Sequence, residues 1–417
     1  MANPLLTTRS AGVLLHPASL PSGRLGPDAF AFVDWLVAAG QGWWQLLPLG
    51  PPDEHRSPYK AASAFAADPG LLADPEARVE ESERRAFLAR NAFWIEDWLA
   101  WGGALDAQVR FDREWSALRT YAAQRGVRLL GDLPIYVAEG SADHAAHPEI
   151  FQTGVVAGAP PDSYAENGQH WGNPLYDWPA LQRRGYRWWV ERLRRNLDLY
   201  DAVRVDHFRG FVAYWSIPET HATARYGSWK RGPGAAPFRA MQSALGGGAL
   251  PLVAEDLGVI TAPVRRLCDE LGLPGMVITQ FAFDPGDATS PHRFAHHPER
   301  SVAYTGTHDA APVAGWWESA SVQERTEAER VFAEQGITER DPAWALIELT
   351  LKSRAVAAFV QAQDVLGLGD DARMNMPGVE GGNWGWRLEP GQLDGALAQR
   401  LRALSSAAGR SPSRASS

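Results

Sequence analysis

Eight short apolar runs, separated by stretches of helical spacing, constrain this chain more than any other feature. The runs lie at 12–16, 43–48, 127–134, 202–206, 251–256, 275–281, 301–309 and 364–368. Helical spacing marks 28–39, 186–200, 262–271, 322–335, 343–362 and 392–405. Strand, helix, strand is the repeating unit of a parallel α/β fold. Eight such units predict a (β/α)8 TIM barrel with loop subdomains inserted after the barrel strands, a size of fold that suits 417 residues. The expected organisation is a single catalytic barrel over 1–404. It carries a charged helical insertion at about 73–125 and a loop subdomain at about 139–178, and a Ser-, Ala- and Arg-rich tail at 405–417 is expected to be disordered.

Polar residues collect where the apolar runs end: His16, Asp132, Asp206, Glu255 and Asp309. The C-terminal ends of barrel strands carry the active site, so this clustering points to chemistry there. In the fourth run Val203 and Val205 alternate with Arg204 and Asp206, which places the guanidinium and the carboxylate on one face. Such a neighbour keeps an aspartate ionised, as a covalent glycosyl-transfer nucleophile must be; a buried structural ion pair would give the same pattern. Glu255 follows Leu252, Val253 and Ala254, an apolar setting that raises a carboxyl pKa. One ionised and one protonated carboxyl would divide the work of nucleophile and general acid/base.

Two other classes compete. His16, His207 and His308 end strands near carboxylates, as in metal-dependent barrel hydrolases, although the first strand offers one histidine rather than a pair. A non-catalytic glucan-binding barrel would follow if the carboxylates were mispositioned. The net charge of -9 argues against nucleic acid and anionic membranes as partners. Cys268 is the only cysteine, which excludes an intrachain disulfide. No run reaches the roughly 18 apolar residues of a membrane span, and the N-terminus lacks a signal pattern, so the expected location is cytoplasmic. Trp43 and Trp44 read as core, Tyr59 as a loop residue able to meet ligand, Trp171 as a sugar platform or a loop anchor, and 246–248 as a turn.

The chain resembles the 4-α-glucanotransferases known as amylomaltases or disproportionating enzymes, relatives of the α-amylase barrels. The resemblance rests on Leu14-Leu15-His16-Pro17, Gln45-Leu46-Leu47-Pro48-Leu49-Gly50-Pro51, Ser57-Pro58-Tyr59, Gly131-Asp132-Leu133-Pro134, Gly168-Gln169-His170-Trp171-Gly172-Asn173-Pro174, Arg204-Val205-Asp206-His207-Phe208-Arg209-Gly210, Ala254-Glu255-Asp256-Leu257-Gly258 and Thr305-Gly306-Thr307-His308-Asp309. It implies Asp206 as nucleophile, Glu255 as acid/base and Asp309 as the aspartate gripping sugar hydroxyls. It further implies Tyr59, Asp132, Gln169, Trp171, Arg204, His207, His308 and Asp284 as sugar contacts. The implied partners are α-1,4-glucans and maltodextrins as donor and glucose or maltodextrin as acceptor, with no cofactor and no metal. An α-amylase-like retaining hydrolase is the alternative within the same barrel. Departures from the family pattern are Ala310 in place of Asn, Asp68, Ser163, Met376, and a stretch after Leu72 shorter than the family's helical insertion.

Overall fold

Strands buried on both faces need no polar alternation, so the apolar runs of this chain become a parallel sheet. In the computed structural model, which describes residues 3–161, 166–379 and 381–411, eight parallel strands form: β1 (Ser10–Leu14), β2 (Trp43–Gln45), β3 (Arg128–Leu133), β4 (Ala202–Val205), β5 (Leu252–Ala254), β6 (Gly275–Ile278), β7 (Ser301–Tyr304) and β8 (Ala357–Gln361). They hydrogen-bond in the order β6-β7-β8-β1-β2-β3-β4-β5. Cyclic chain order with intervening helices is the (β/α)8 barrel arrangement.

Two compact units are distinguishable. One contains Pro48–Ser116 and Gly131–Leu273. Within it β4 and β5 pair in parallel, Val203 opposite Leu252 and Val205 opposite Ala254. The helix Arg187–Leu199 buries Trp188, Trp189, Leu193 and Leu199. Gly131 is required by packing, because a Cβ there would lie 2.1 Å from the Tyr200 ring. The same unit holds a four-stranded antiparallel sheet, ordered Gln169–Tyr176, Phe151–Ala159, Ala213–Pro218, Ser228–Arg231. The region expected as a loop at 139–178 therefore contributes two strands. Its Gly and Pro residues read as turn chemistry, but Gly158 and Pro174 lie in paired strands with register shifts, which tolerate such residues.

The other unit contains Asn3–Leu47, Ala117–Leu130 and the chain from Pro274 onward. Here β1 pairs with β2 and β8, and β7 pairs with β6 and β8. The expected eighth strand at 364–368 is corrected: β8 is Ala357–Gln361, and Asp364 lies in the helical turn Ala362–Val365. The expected helix 343–362 ends at Lys352, where Ser353 turns extended. An alanine-rich apolar run after a helix fits either structure by periodicity, and pairing with β1 and β7 decides for strand.

The tail expectation also needs correction. The last helix is Gly395–Ala407, and Ser405 is buried within it. Arg410 is fully buried. Its guanidinium donates to the carbonyls of Leu351 (2.7 Å), Ser10 (2.9 Å), Ser353 (2.6 Å) and Ala355 (2.7 Å). Residues 412–417 lie outside the described residues. Trp43, Trp44 and Cys268 are buried, as their sequence contexts suggest.

Candidate active site

The end of β4 carries the densest polar network. Arg204 donates through Nη1 to Asp132 Oδ2 (2.6 Å) and through Nη2 to Asp206 Oδ1 (2.7 Å). Tyr59 adds its hydroxyl to the same Asp132 oxygen at 2.7 Å. The side chains of Arg204 and Asp132 are 4% and 0% exposed, whereas that of Asp206 is 28% exposed. A guanidinium held between two carboxylates cannot swing away, so it orients the more open one. Burial opposes the Arg204 charge, but Asp132 and then Asp206 outweigh it and raise its pKa well above the usual value.

Backbone pairing fixes the neighbouring acid. Glu255 N–H donates to the Val205 carbonyl (3.0 Å), and Phe208 N–H donates to the Glu255 carbonyl (3.2 Å). The carboxyl of Glu255 accepts from Leu257 N–H at 2.9 Å. Burial, then the negative charge of Asp206, push its pKa up from 4.5 to about 8, against the opposing effects of Arg204 and the Leu257 N–H. The site thus sets a carboxyl whose pKa is raised beside one that is paired with arginine.

Between them His207 adopts a left-handed backbone, φ 50°. A non-glycine residue there is strained, and such strain gathers at functional sites. Its ring Nε2 is buried without a partner in the protein, and burial lowers its pKa to about 4. It is therefore a hydrogen-bonding group whose Nε2 is buried and unpartnered within the protein. Trp171 meets this ring edge-on at 4.7 Å and donates from Nε1 to Gln169 Oε1 at 3.0 Å. Tyr136, which the sequence did not single out, flanks both His207 and Trp171. The structure so gathers Tyr59, Asp132, Arg204, Asp206, His207, Gln169, Trp171 and Glu255 within one unit.

His308 and Asp309 follow β7 in the other unit. His308 Nε2 stands 3.4 Å from Asp309 Oδ1. Asn375 Nδ2 donates to Asp309 Oδ1 at 2.6 Å, and Arg373 Nη2 donates to the Asp309 carbonyl at 2.6 Å. Neither Asn375 nor Arg373 was expected as a site residue; a separation of more than 60 positions hides such a pairing, and the only signal was the family motif around Asn375. His16 is neutral, its pKa lowered by burial and then by His308 to about 3. Asp284 is exposed and accepts from Gly286 N–H of its own turn (2.8 Å), so it is not drawn into the Asp309 cluster. Ala310 and Met376 stand beside Asp309 and Asn375 in sequence, with Met376 exposed; Ser163 lies outside the described residues. Among the described residues no three His, Cys, Asp or Glu side chains form a metal-holding group.

Comparison with known proteins agrees with this geometry. The family described as 4-alpha-glucanotransferase matches residues 14–102 and 104–393. The 4-alpha-glucanotransferase of Thermus thermophilus is 40% identical over 495 residues, covering 96% of this chain and 98% of that protein. That of Synechocystis sp. is 36% identical, covering 97% and 99%. The aligned lengths exceed the 417 residues here, so these relatives carry segments that this chain lacks. The amylomaltase from Streptococcus agalactiae in complex with acarbose superposes with a TM-score of 0.89 at 28% identity, covering 97% of this chain and 100% of that one. With its barrel, its strand-end carboxylates and a match along nearly its whole length, this chain belongs to the 4-alpha-glucanotransferase family.

Proposed function

We propose that this protein cuts an α-1,4-glucan and passes the fragment to the 4-hydroxyl of glucose or another maltodextrin, by a retaining double displacement. The observation that carries the reading is the pairing of Asp206 with Arg204 beside a Glu255 whose carboxyl burial and the Asp206 charge push toward the protonated form. Asp206 attacks the anomeric carbon while Glu255 gives its proton to the departing glycosidic oxygen. The carbon–oxygen bond breaks and an aspartyl ester forms. Esterification removes the charge of Asp206, and with it one cause of the high Glu255 pKa. Glu255, now ionised more readily, takes the proton of the incoming 4-hydroxyl as that oxygen displaces Asp206. Two inversions restore the α configuration.

Tyr59, Asp132 and Arg204 hold the nucleophile's side of the sugar. Nε2 of His207, buried and without a partner in the protein, is the group left to receive a sugar hydroxyl, and Trp171 offers its flat face. Asp309, steadied by Asn375 and His308, offers its carboxylate to sugar hydroxyls. Asp284 remains an outlying sugar contact. The acarbose complex of the S. agalactiae amylomaltase supports an oligosaccharide substrate for this fold. No helix of the described residues is long and apolar enough to cross a membrane, and a cytoplasmic location suits an enzyme of maltodextrin metabolism with one reduced, buried cysteine. Incubation with maltotriose tests the reading: transfer yields glucose plus a ladder of longer maltodextrins. Only shorter sugars with new reducing ends would identify a hydrolase instead.

A further inference from the structure

Apart from the site itself, the surface most in need of explanation carries two bare aromatic rings, one on the edge strand of the antiparallel sheet and one in the turn before it. Tyr226 is 69% exposed and Trp229 is 43% exposed. Trp229 lies in the edge strand Ser228–Arg231, every residue of which is exposed. An edge strand left open with a tryptophan on it is a liability unless the ring has a use.

The rings are held rather than loose. Trp229 pairs across the sheet with Trp215 and meets it edge-on at 5.2 Å. Trp215 Nε1 donates to the Ala224 carbonyl at 2.8 Å. Gly227 permits the turn bearing Tyr226 to lie against Trp215, since a Cβ there would come within 2.2 Å of Trp215 Nε1. Arg209 stacks its guanidinium 4.1 Å from the Trp229 ring centre and donates from Nη1 to the Val259 carbonyl at 2.8 Å. Arg209 comes three positions after Asp206, and Val259 four positions after Glu255 and 70% exposed. Arg209 thus ties Trp229 to the segments that follow Asp206 and Glu255 along the chain.

We propose that Trp229 and Tyr226 form a remote subsite for an α-1,4-glucan chain bound on the acceptor side of Glu255. A glucan is uncharged and offers flat C–H faces rimmed by hydroxyls. Rigid aromatic planes match the faces, and the adjacent guanidinium supplies donors for the rim. Because Arg209 already fixes the ring, stacking a sugar loses little side-chain freedom. The inference rests on the glucan-transfer reading, but it concerns only chains long enough to leave the reacting centre.

The test compares Trp229→Ala and Trp229→Tyr with the parent, using maltotriose as donor and either glucose or maltoheptaose as acceptor. In Trp229→Ala the KM for maltoheptaose should rise about five- to tenfold, while the KM for glucose stays put; Trp229→Tyr should recover most of the loss. Equal KM values for maltoheptaose in Trp229→Ala and parent would overturn the proposal, and so would an equal loss for both acceptors. Maltoheptaose binding to Asp206→Asn protein, with and without Trp229→Ala, is measured calorimetrically without turnover. A parent that makes no ladder refutes the transfer reading. A calorimetric affinity indifferent to Trp229 refutes the platform separately.

Discussion

Replacing Asp206 with Asn should lower the pKa of Glu255, and the size of the fall measures how the two carboxylates are coupled. Burial and the Asp206 charge together hold Glu255 at about 8. At pH 7 about nine in ten molecules then carry the proton, against about one in 300 for an ordinary glutamate. If the pair stands at the spacing of about 5.5 Å typical of retaining enzymes, an effective dielectric constant of about 20 gives an interaction of about 3 kcal/mol, or about two pH units. Asn removes that charge and leaves Arg204 with a larger net positive field, which acts in the same direction. Glu255 should therefore titrate near about 6 in the variant, still above 4.5 because its burial remains. Carbon NMR of protein labelled at the glutamate carboxyls reads this directly, with Asp206→Asn/Glu255→Gln identifying the resonance. A Glu255 that still titrates at 8 or above in Asp206→Asn would refute the reasoning, for burial alone would then set its proton affinity and esterification of Asp206 could not convert the acid into a base.

The remaining expectations concern separate parts of the molecule. If Glu255 is the acid as proposed, kcat/KM should be near its plateau at pH 7, about half of it at pH 8 and fall tenfold per unit beyond as Glu255 ionises; Glu255→Gln should lose about 100- to 10,000-fold on maltotriose yet still glucosylate Asp206 from a donor with a good leaving group, a mass increase that intact-protein spectrometry detects. Trp171→Ala should raise the ratio of hydrolysis to transfer, measured as free reducing ends per transfer event, since the ring packs on His207 next to Asp206; an unchanged ratio with a lower thermal midpoint would make it a packing residue only. Asn375→Ala removes the 2.6 Å donor to Asp309 and should lower kcat/KM about tenfold with little change in unfolding midpoint. Arg410→Met removes the guanidinium donor from the carbonyls of Leu351, Ser10, Ser353 and Ala355, of which Ser353 and Ala355 keep Arg9 as a donor, and should destabilise by about 3 kcal/mol, read by denaturant unfolding, with the kcat of surviving enzyme unaltered.

The barrel and most of its strand-end residues are legible in the chain because their signals are local. Val203, Arg204, Val205 and Asp206 announce a strand and its shared face within four positions, and the network of Arg204 with Asp206 follows. Likewise Leu252, Val253 and Ala254 announce the apolar setting that raises Glu255. Asp309 closes an apolar run in the same way, Tyr59 and Trp171 stand out on loops, and the family motifs add the sugar-binding roles of all three. Where local signals are ambiguous the sequence misleads: Ala357–Gln361 has the texture of more helix, and its pairing with β1 and β7 makes it a strand.

What the sequence by itself determined, then, is the fold class, together with the strand ends where Asp206 and Glu255 stand, all encoded over a few consecutive residues. Only the tertiary structure decided that Asn375 steadies Asp309, that Arg410 closes on the carbonyls of Ser10 and Leu351, that 151–176 forms strands, and that Arg209 joins Trp229 to Val259. Each of these is a contact between segments distant along the chain, or a strand pairing across a bulge. Their partners are chosen by how the elements pack in three dimensions, and no periodicity along the chain records that choice.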